Sequence, residues 1–169
     1  NAWYYRKLVQ VDCTAINKIP YRKGGVYVVI GGAGGIGEVW SEHMIRTYQA
    51  KIIWIGRREI DAVIQAKVDR LCTLGEAPMY VRADARDRKA LDAAYKEIKD
   101  MYKDIHGVIH SAIVLKDQSL ANMGEERFRD GLSAKVDVSV RIAQVFKNEK
   151  LDFVMFFSSL QSFMKAAGQ

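Results

Sequence analysis

Residues 26–37, VYVVIGGAGGIG, constrain this chain more than any other stretch: an apolar run of strand character breaks into five glycines within seven residues. Glycines at that density let the backbone turn sharply and bring bare amides closer to a ligand than any side chain permits. Residues 36–48 have helical character, so the turn delivers those amides to a helix N-terminus, where unpaired N–H groups and the helix dipole favour an anion. Gly32, Gly34 and Gly37 fit the G-x-G-x-x-G spacing of dinucleotide-binding turns, with Gly31, Gly35 and Ile36 completing the cradle. The alternative is a flexible connector, and the strand before and the helix after speak against it. A triphosphatase phosphate loop ends in Gly-Lys-Ser/Thr, whereas Glu38 and Val39 follow Gly37 here.

The alternation continues downstream. Residues 51–55, 79–83, 107–111 and 151–157 read as strands; residues 60–74, 87–105 and 125–146 read as helices. Leu91, Tyr95, Ile98, Tyr102 and Ile105 recur at three-four spacing, which marks an amphipathic helix with Asp87 as its cap. Five apolar strands separated by helices predict an α/β fold, a Rossmann-like doubly wound parallel sheet covered on both faces. Its ligand crevice lies at the carboxyl ends of the strands. Tyr27, Tyr48, Tyr95 and Tyr102 are assigned to packing. Residues 1–24, aromatic and basic at the start with one strand-like run at residues 8–12, are expected to be a leader or the tail of an upstream subdomain, and residues 25–169 the dinucleotide-binding domain.

At 169 residues the chain suits one domain with a core of its own. Cys13 and Cys72 form no C-x-x-C pair, in keeping with a reduced, cytoplasmic setting. No apolar run reaches the roughly 20 residues that span a bilayer. The net charge of +6 comes from basic residues scattered among acidic ones, without the aromatic-lined basic stripe of a nucleic-acid binder. His43, His106 and His110 lack metal-ligand spacing and are read as structural.

The candidate site follows from the sheet edge. About 20 residues past the glycine turn, where a carboxylate would hold ribose hydroxyls, stand Arg57 and Arg58. A guanidinium is a planar fork of donors suited to a 2′-phosphate, which favours NADPH over NADH; two solvated loop arginines are the alternative. Asp84 and Ala85, past the third strand, suit the adenine, or Asp84 is a turn residue. Ser111 and Ala112 leave room for a nicotinamide ribose. Lys135 falls within an apolar stripe of Phe128, Leu132, Ser139, Ile142 and Phe146 at about 100° per residue, so it needs a partner or a polar cleft unless it snorkels out along its stem. Ser159, with Ser158, ends the fifth strand, where a hydroxyl can bond a substrate carbonyl or cap a turn. The nucleophile elbow G-x-S-x-G of hydrolases is absent.

Taken together, GGAGGIG at residues 31–37, IGRR at 55–58, ADARD at 83–87, HSA at 110–112, Lys135 and FFSSLQSF at 156–163 resemble the short-chain dehydrogenase/reductase superfamily, and within it the ketoreductase domains of modular polyketide synthases. The resemblance runs from residue 21 to the end. It implies NADPH-dependent reduction of a β-ketoacyl thioester, borne by phosphopantetheine on an acyl carrier protein, within a multidomain synthase. In such domains a tyrosine protonates the carbonyl oxygen as hydride arrives, a serine binds that oxygen, and a lysine supports the proton relay. Ser159 matches the serine and Lys135 the lysine. Leu115, Lys116 and Asp117 resemble a partial leucine and double-aspartate motif of ketoreductases that make the D-alcohol, and no tryptophan of the opposite class stands near Met164.

Two departures accompany the resemblance. Ile30 occupies a position where many relatives carry threonine, and the family's tyrosine is expected shortly beyond Gln169. The expectation is therefore a domain truncated before its catalytic tyrosine, with the sheet incomplete at the C-terminus and no activity alone. The competing readings are a non-catalytic reductase-like module of a megasynthase and a free-standing short-chain reductase.

Overall fold

The structure, a computed structural model, describes residues 3–5, 7–12 and 19–163. Cys13 and Met164 lie outside the described residues. Strands and helices alternate as β1 (Val26–Ile30), α1 (Gly35–Tyr48), β2 (Lys51–Gly56), α2 (Ala62–Cys72), β3 (Met79–Arg82), α3 (Arg88–Met101), β4 (Gly107–His110), α4 (Glu125–Ser133), α5 (Val136–Val145) and β5 (Phe153–Phe156), with single 3-10 turns at Leu120–Asn122 and Leu160–Ser162. The five strands are parallel in the order β3-β2-β1-β4-β5. The chain winds outward in one direction through β2 and β3, then returns to the other side of β1 with β4. Between the carboxyl ends of β1 and β4 the order reverses, and a crevice opens there.

The central strands lack polar alternation because both faces are covered. Val26, Val28 and Ile30 join Ile53, Ile55 and Val108 against Leu91 and Ile98 of α3 and Val138 and Ile142 of α5. The odd-numbered partners Tyr27, Val29 and Ile109, with Ile52 and Trp54, face Met44 and Ile45 of α1 and Leu71 of α2. Each such side chain contributes about 1.5–3 kcal/mol on burial, so the two layers together hold the sheet between helices. Local signals end the helices. The Asp61 carboxylate accepts from the Ile64 amide at 2.8 Å to start α2, and that of Asp87 accepts from the Lys89 and Ala90 amides at 2.7 and 3.2 Å to start α3. Tyr27 is fully buried, while Tyr48, Tyr95 and Tyr102 pack at the core's margin. Among the described residues no helix is long and apolar enough to cross a membrane.

Three expectations are corrected. Residues 8–12 form no strand: Leu8, Val9 and Val11 are exposed, and an isolated extended run has no ladder to pair with. The helix expected over residues 87–105 stops at Met101, where Tyr102 turns to extended backbone. The long helix of residues 125–146 is two helices that break at Ala134 and Lys135. The break shifts the phase of the apolar stripe, so Phe128 and Leu132 are half exposed while Ile142 and Phe146 are buried.

Candidate functional site

The glycine turn is shaped by contacts that leave no room for side chains. Gly31 has φ 81°, and a Cβ there would stand 2.6 Å from the Ala112 backbone. Its amide donates to the Ile55 carbonyl at 2.8 Å, while the Ser111 amide and hydroxyl donate to the Ile30 carbonyl at 2.9 and 3.1 Å. The ends of β2, β1 and β4 are thus laced together beneath the turn. Gly32 lies flat on the Trp54 indole, where a Cβ would meet the ring at 2.0 Å. The Trp54 indole N–H donates to the Ser41 hydroxyl at 2.9 Å, which donates to the Gly37 carbonyl at 2.6 Å. Lys67 donates to the Ala33 carbonyl at 2.8 Å and pairs with Glu38 at 2.7 Å, tying α2 to the turn. Among the described residues no side chain caps α1 at Gly34, which leaves its first amides open to an anion.

Beside the turn is a cleft of about 290 Å³. Its wall contains eight of the residues expected there: Gly31, Gly34, Arg57, Arg58, Asp84, Ala85, Ser111 and Ala112. Gly32, Gly35, Ile36 and Gly37 are not in the wall; Gly32 and Gly37 are buried as packing, and Gly35 and Ile36 open α1 on the surface. The structure adds Ala33, Tyr80, Arg86, Val114 and Val138. Of these, Arg86 carries a signal in hindsight, as a cation two residues from Asp84. Tyr80 carries none, because its position in a strand reads as core.

The charges divide sharply. Burial pushes the Asp84 carboxyl up, but the Arg86 guanidinium at 2.8–3.1 Å and the Arg86 amide outweigh it and hold the group below the usual carboxylate range. Asp84 is therefore already engaged by the chain. Arg86 reaches on to Asp130 at 3.4 Å, and Lys116 pairs with Asp130, so the segments after β3 and β4 are both tied to α4. Arg58 pairs with Asp61 at 3.3 Å. The Arg57 guanidinium makes no hydrogen bond or ion pair among the described residues, and its field helps keep Asp84 and Asp130 ionised. Tyr80 donates to the Arg58 carbonyl at 2.8 Å, and Arg82 to that of Arg57 at 3.4 Å, fixing the arginine loop by its backbone.

Lys135 sits at the helix break rather than within a helix. Its ammonium donates to the Ala112 carbonyl at 3.1 Å and the Phe157 carbonyl at 3.4 Å, so backbone at the ends of β4 and β5 meets the need for a partner. Burial holds the Lys135 ammonium below the usual lysine range. Ser159 is exposed and opens the last 3-10 turn, where its hydroxyl accepts from the Gln161 amide at 3.2 Å. Leu115 and Asp117 are exposed. Of the histidines, His43 is exposed, His106 accepts from the Val26 amide at 3.0 Å, and His110 is buried with Nε2 3.0 Å from the Ala134 carbonyl.

A parallel doubly wound sheet, with a glycine turn at its switch point and a lysine held at the ends of neighbouring strands, defines a Rossmann-like α/β domain. Within that class the chain belongs to the KR domain family, whose sequence profile matches residues 25–169. It is similar to polyketide synthase PksN of Bacillus subtilis (59% identical over 176 residues) and to polyketide synthase ThaG of Burkholderia thailandensis (46% identical over 167 residues). These alignments cover 100% and 99% of the chain, and the chain spans only 3% of the length of either synthase. Among solved structures it superposes on an N-terminal ketoreductase from the macrolactin assembly line with a TM-score of 0.86 at 32% identity, over 92% of this chain and 32% of that one. A ketoreductase domain from the bacillaene assembly line gives 0.85 at 29% identity, over 92% and 38%.

Proposed function

We propose that the chain holds NADPH across the ends of β1 and β4, as the cofactor-binding part of a ketoreductase in a polyketide synthase. The reaction is reduction of a β-ketoacyl thioester, presented on acyl-carrier-protein phosphopantetheine, to the β-hydroxyacyl thioester beside neighbouring synthase domains in the cytoplasm. Asp117 supports the D configuration. When bound, the reduced nicotinamide supplies the hydride. The residues present fit that group: the uncapped amides of α1 offer a seat for the pyrophosphate, and Arg57 and Arg58 one for the 2′-phosphate. Asp84 and Ala85 flank the adenine position, and Ser111 and Ala112 the nicotinamide ribose. Ser159 donates to the substrate carbonyl oxygen, and the Lys135 cation favours movement of a proton toward it.

The observation that carries this reading is Arg57, whose guanidinium makes no hydrogen bond or ion pair among the described residues and lies in the wall of the cleft beside the glycine turn. A charge-assisted bond contributes about 1.5–3 kcal/mol, or roughly 10–100-fold in affinity. In a fluorescence titration, Arg57→Ala weakens NADPH binding by that factor and leaves NADH binding unchanged. Equal losses for both cofactors would refute the 2′-phosphate assignment. For the catalytic roles, Lys135→Met and Ser159→Ala are compared with wild type in the full-length synthase polypeptide; near-normal turnover in both sinks them.

A further inference from the structure

His110 is nearly inaccessible, at 1% exposure, and the chemistry above gives it no task. It ends β4, and its ring turns toward the layer of α5, the side of the sheet that Val108 faces. Nε2 lies 3.0 Å from the Ala134 carbonyl, which can only accept, so Nε2 carries a proton. Nδ1 is buried and has no hydrogen-bond partner among the described residues. A second proton there would bury an unsatisfied N–H and a positive charge near the Lys135 ammonium. Burial first, and Lys135 second, push the His110 imidazolium down, against a smaller opposing pull from the Ala134 carbonyl, and so favour the neutral ring that the geometry describes.

The Ala134 carbonyl needs this donor because the helix breaks beside it. Lys135 has φ −107° and ψ −54°, and the ladder of α5 resumes with the Ser139 amide on the Lys135 carbonyl at 3.1 Å. No backbone amide takes the Ala134 carbonyl among the described residues. The imidazole therefore pins the peptide just ahead of Lys135. The two carbonyls that hold the ammonium belong to the same rigid sheet end: Ala112 follows His110 by two residues, and the Phe157 amide donates to the His110 carbonyl at 3.3 Å. Backbone and ammonium of Lys135 are thus held from one platform.

We propose that His110, as the neutral Nε2–H tautomer, is the positioning residue for Lys135: by holding the Ala134 carbonyl it fixes the α4–α5 break and aims the ammonium at the ends of β4 and β5. The catalytic consequence rests on the Lys135 role proposed above; the placement itself does not.

The test has three arms. Ring nitrogen NMR of the wild-type chain at neutral pH is expected to show the neutral Nε2–H form; imidazolium or the Nδ1–H form overturns the inference without any variant. Next, the Lys135 side-chain carbon signal is titrated in His110→Gln, whose amide reaches about as far as Nε2, and in His110→Leu, which cannot donate. Wild type and the Gln variant are expected to titrate below the ordinary lysine value of about 10.4, and the Leu variant close to it. A folded Leu variant with an unmoved Lys135 titration overturns the inference. If the Leu variant does not fold, the tautomer and the Gln variant decide. In the full-length synthase polypeptide, His110→Leu is expected to lower kcat about tenfold or more, the scale of one buried carbonyl left unpaired, with His110→Gln within about threefold and NADPH affinity steady in both. Full turnover by Lys135→Met would remove the proton-relay role alone, leaving the NMR arms to judge His110.

Discussion

Replacing Gly31 with alanine isolates the device at the centre of the site. The residue has φ 81°, a left-handed conformation that costs an L-residue about 1–2 kcal/mol. The new methyl would stand 2.6 Å from both the Cα and the amide nitrogen of Ala112, backbone atoms that cannot rotate away. Ser111, bonded twice to the Ile30 carbonyl, resists displacement of that backbone. Overpacking of this kind costs about 1–3 kcal/mol, so the sum is about 2–5 kcal/mol. Against a total of roughly 5–15 kcal/mol that is a large fraction, worth roughly 5–15 °C in Tm for a domain of this size. The matched control is Gly35→Ala. Apart from its chain neighbours and its own helix backbone, a methyl there meets no described atom within 4 Å, so stability is expected to hold or rise by about 0.4–1 kcal/mol, while the methyl intrudes on the anion seat and NADPH affinity falls. Urea unfolding and an NADPH titration of both variants separate the effects. A Gly31→Ala chain with wild-type midpoint and slope would refute the reasoning.

Ser41→Ala removes the hydroxyl between the Trp54 indole and the Gly37 carbonyl and leaves a buried N–H unpaired; a loss of about 1–3 kcal/mol in urea unfolding is expected, and no loss would break the link between β2 and the turn. Because the folded Asp84 carboxyl is held low, its stabilisation is complete above the ordinary carboxylate range near pH 3.9 and is lost as pH falls through the folded value. The Tm gap between wild type and Asp84→Asn should therefore be steady near neutrality and close in acid; a gap independent of pH contradicts the Arg86 pairing. The hydrogen bond to Glu149, followed by burial, pushes the Tyr95 phenol up to about 12. Tyr95→Phe should thus leave absorbance changes at 295 nm up to about pH 11 intact and remove amplitude above it.

Much of this was legible because it is local. The lengths of apolar runs, the aspartate at the start of α3 and the glycine cluster act through neighbours within a turn or two, and they predicted β1 to β5, the cap of α3 and eight residues of the cleft wall. The motifs also located Lys135 and the arginine pair. What escaped were contacts between residues distant in sequence. Nothing around Ala134 and Lys135 marks a helix break, since no proline stands there and the carbonyl's donor, His110, is 24 residues away. Asp84 reads as a free ligand group until Arg86 folds back onto it, and the run of residues 8–12 reads as a strand until no neighbouring edge is there to receive it.

The sequence by itself therefore determined the alternation, the parallel sheet and a glycine turn aimed at an anion, because periodicity and backbone freedom are properties of short segments. Only the tertiary structure decided which charges remain open to a ligand. Arg57 and Asp84 are equally polar on paper, but a guanidinium two residues away engages Asp84, whereas Arg57 lines the cleft, its guanidinium making no hydrogen bond or ion pair among the described residues. Lys135 likewise acquires its place from carbonyls at two strand ends that come together only when the sheet is complete around it.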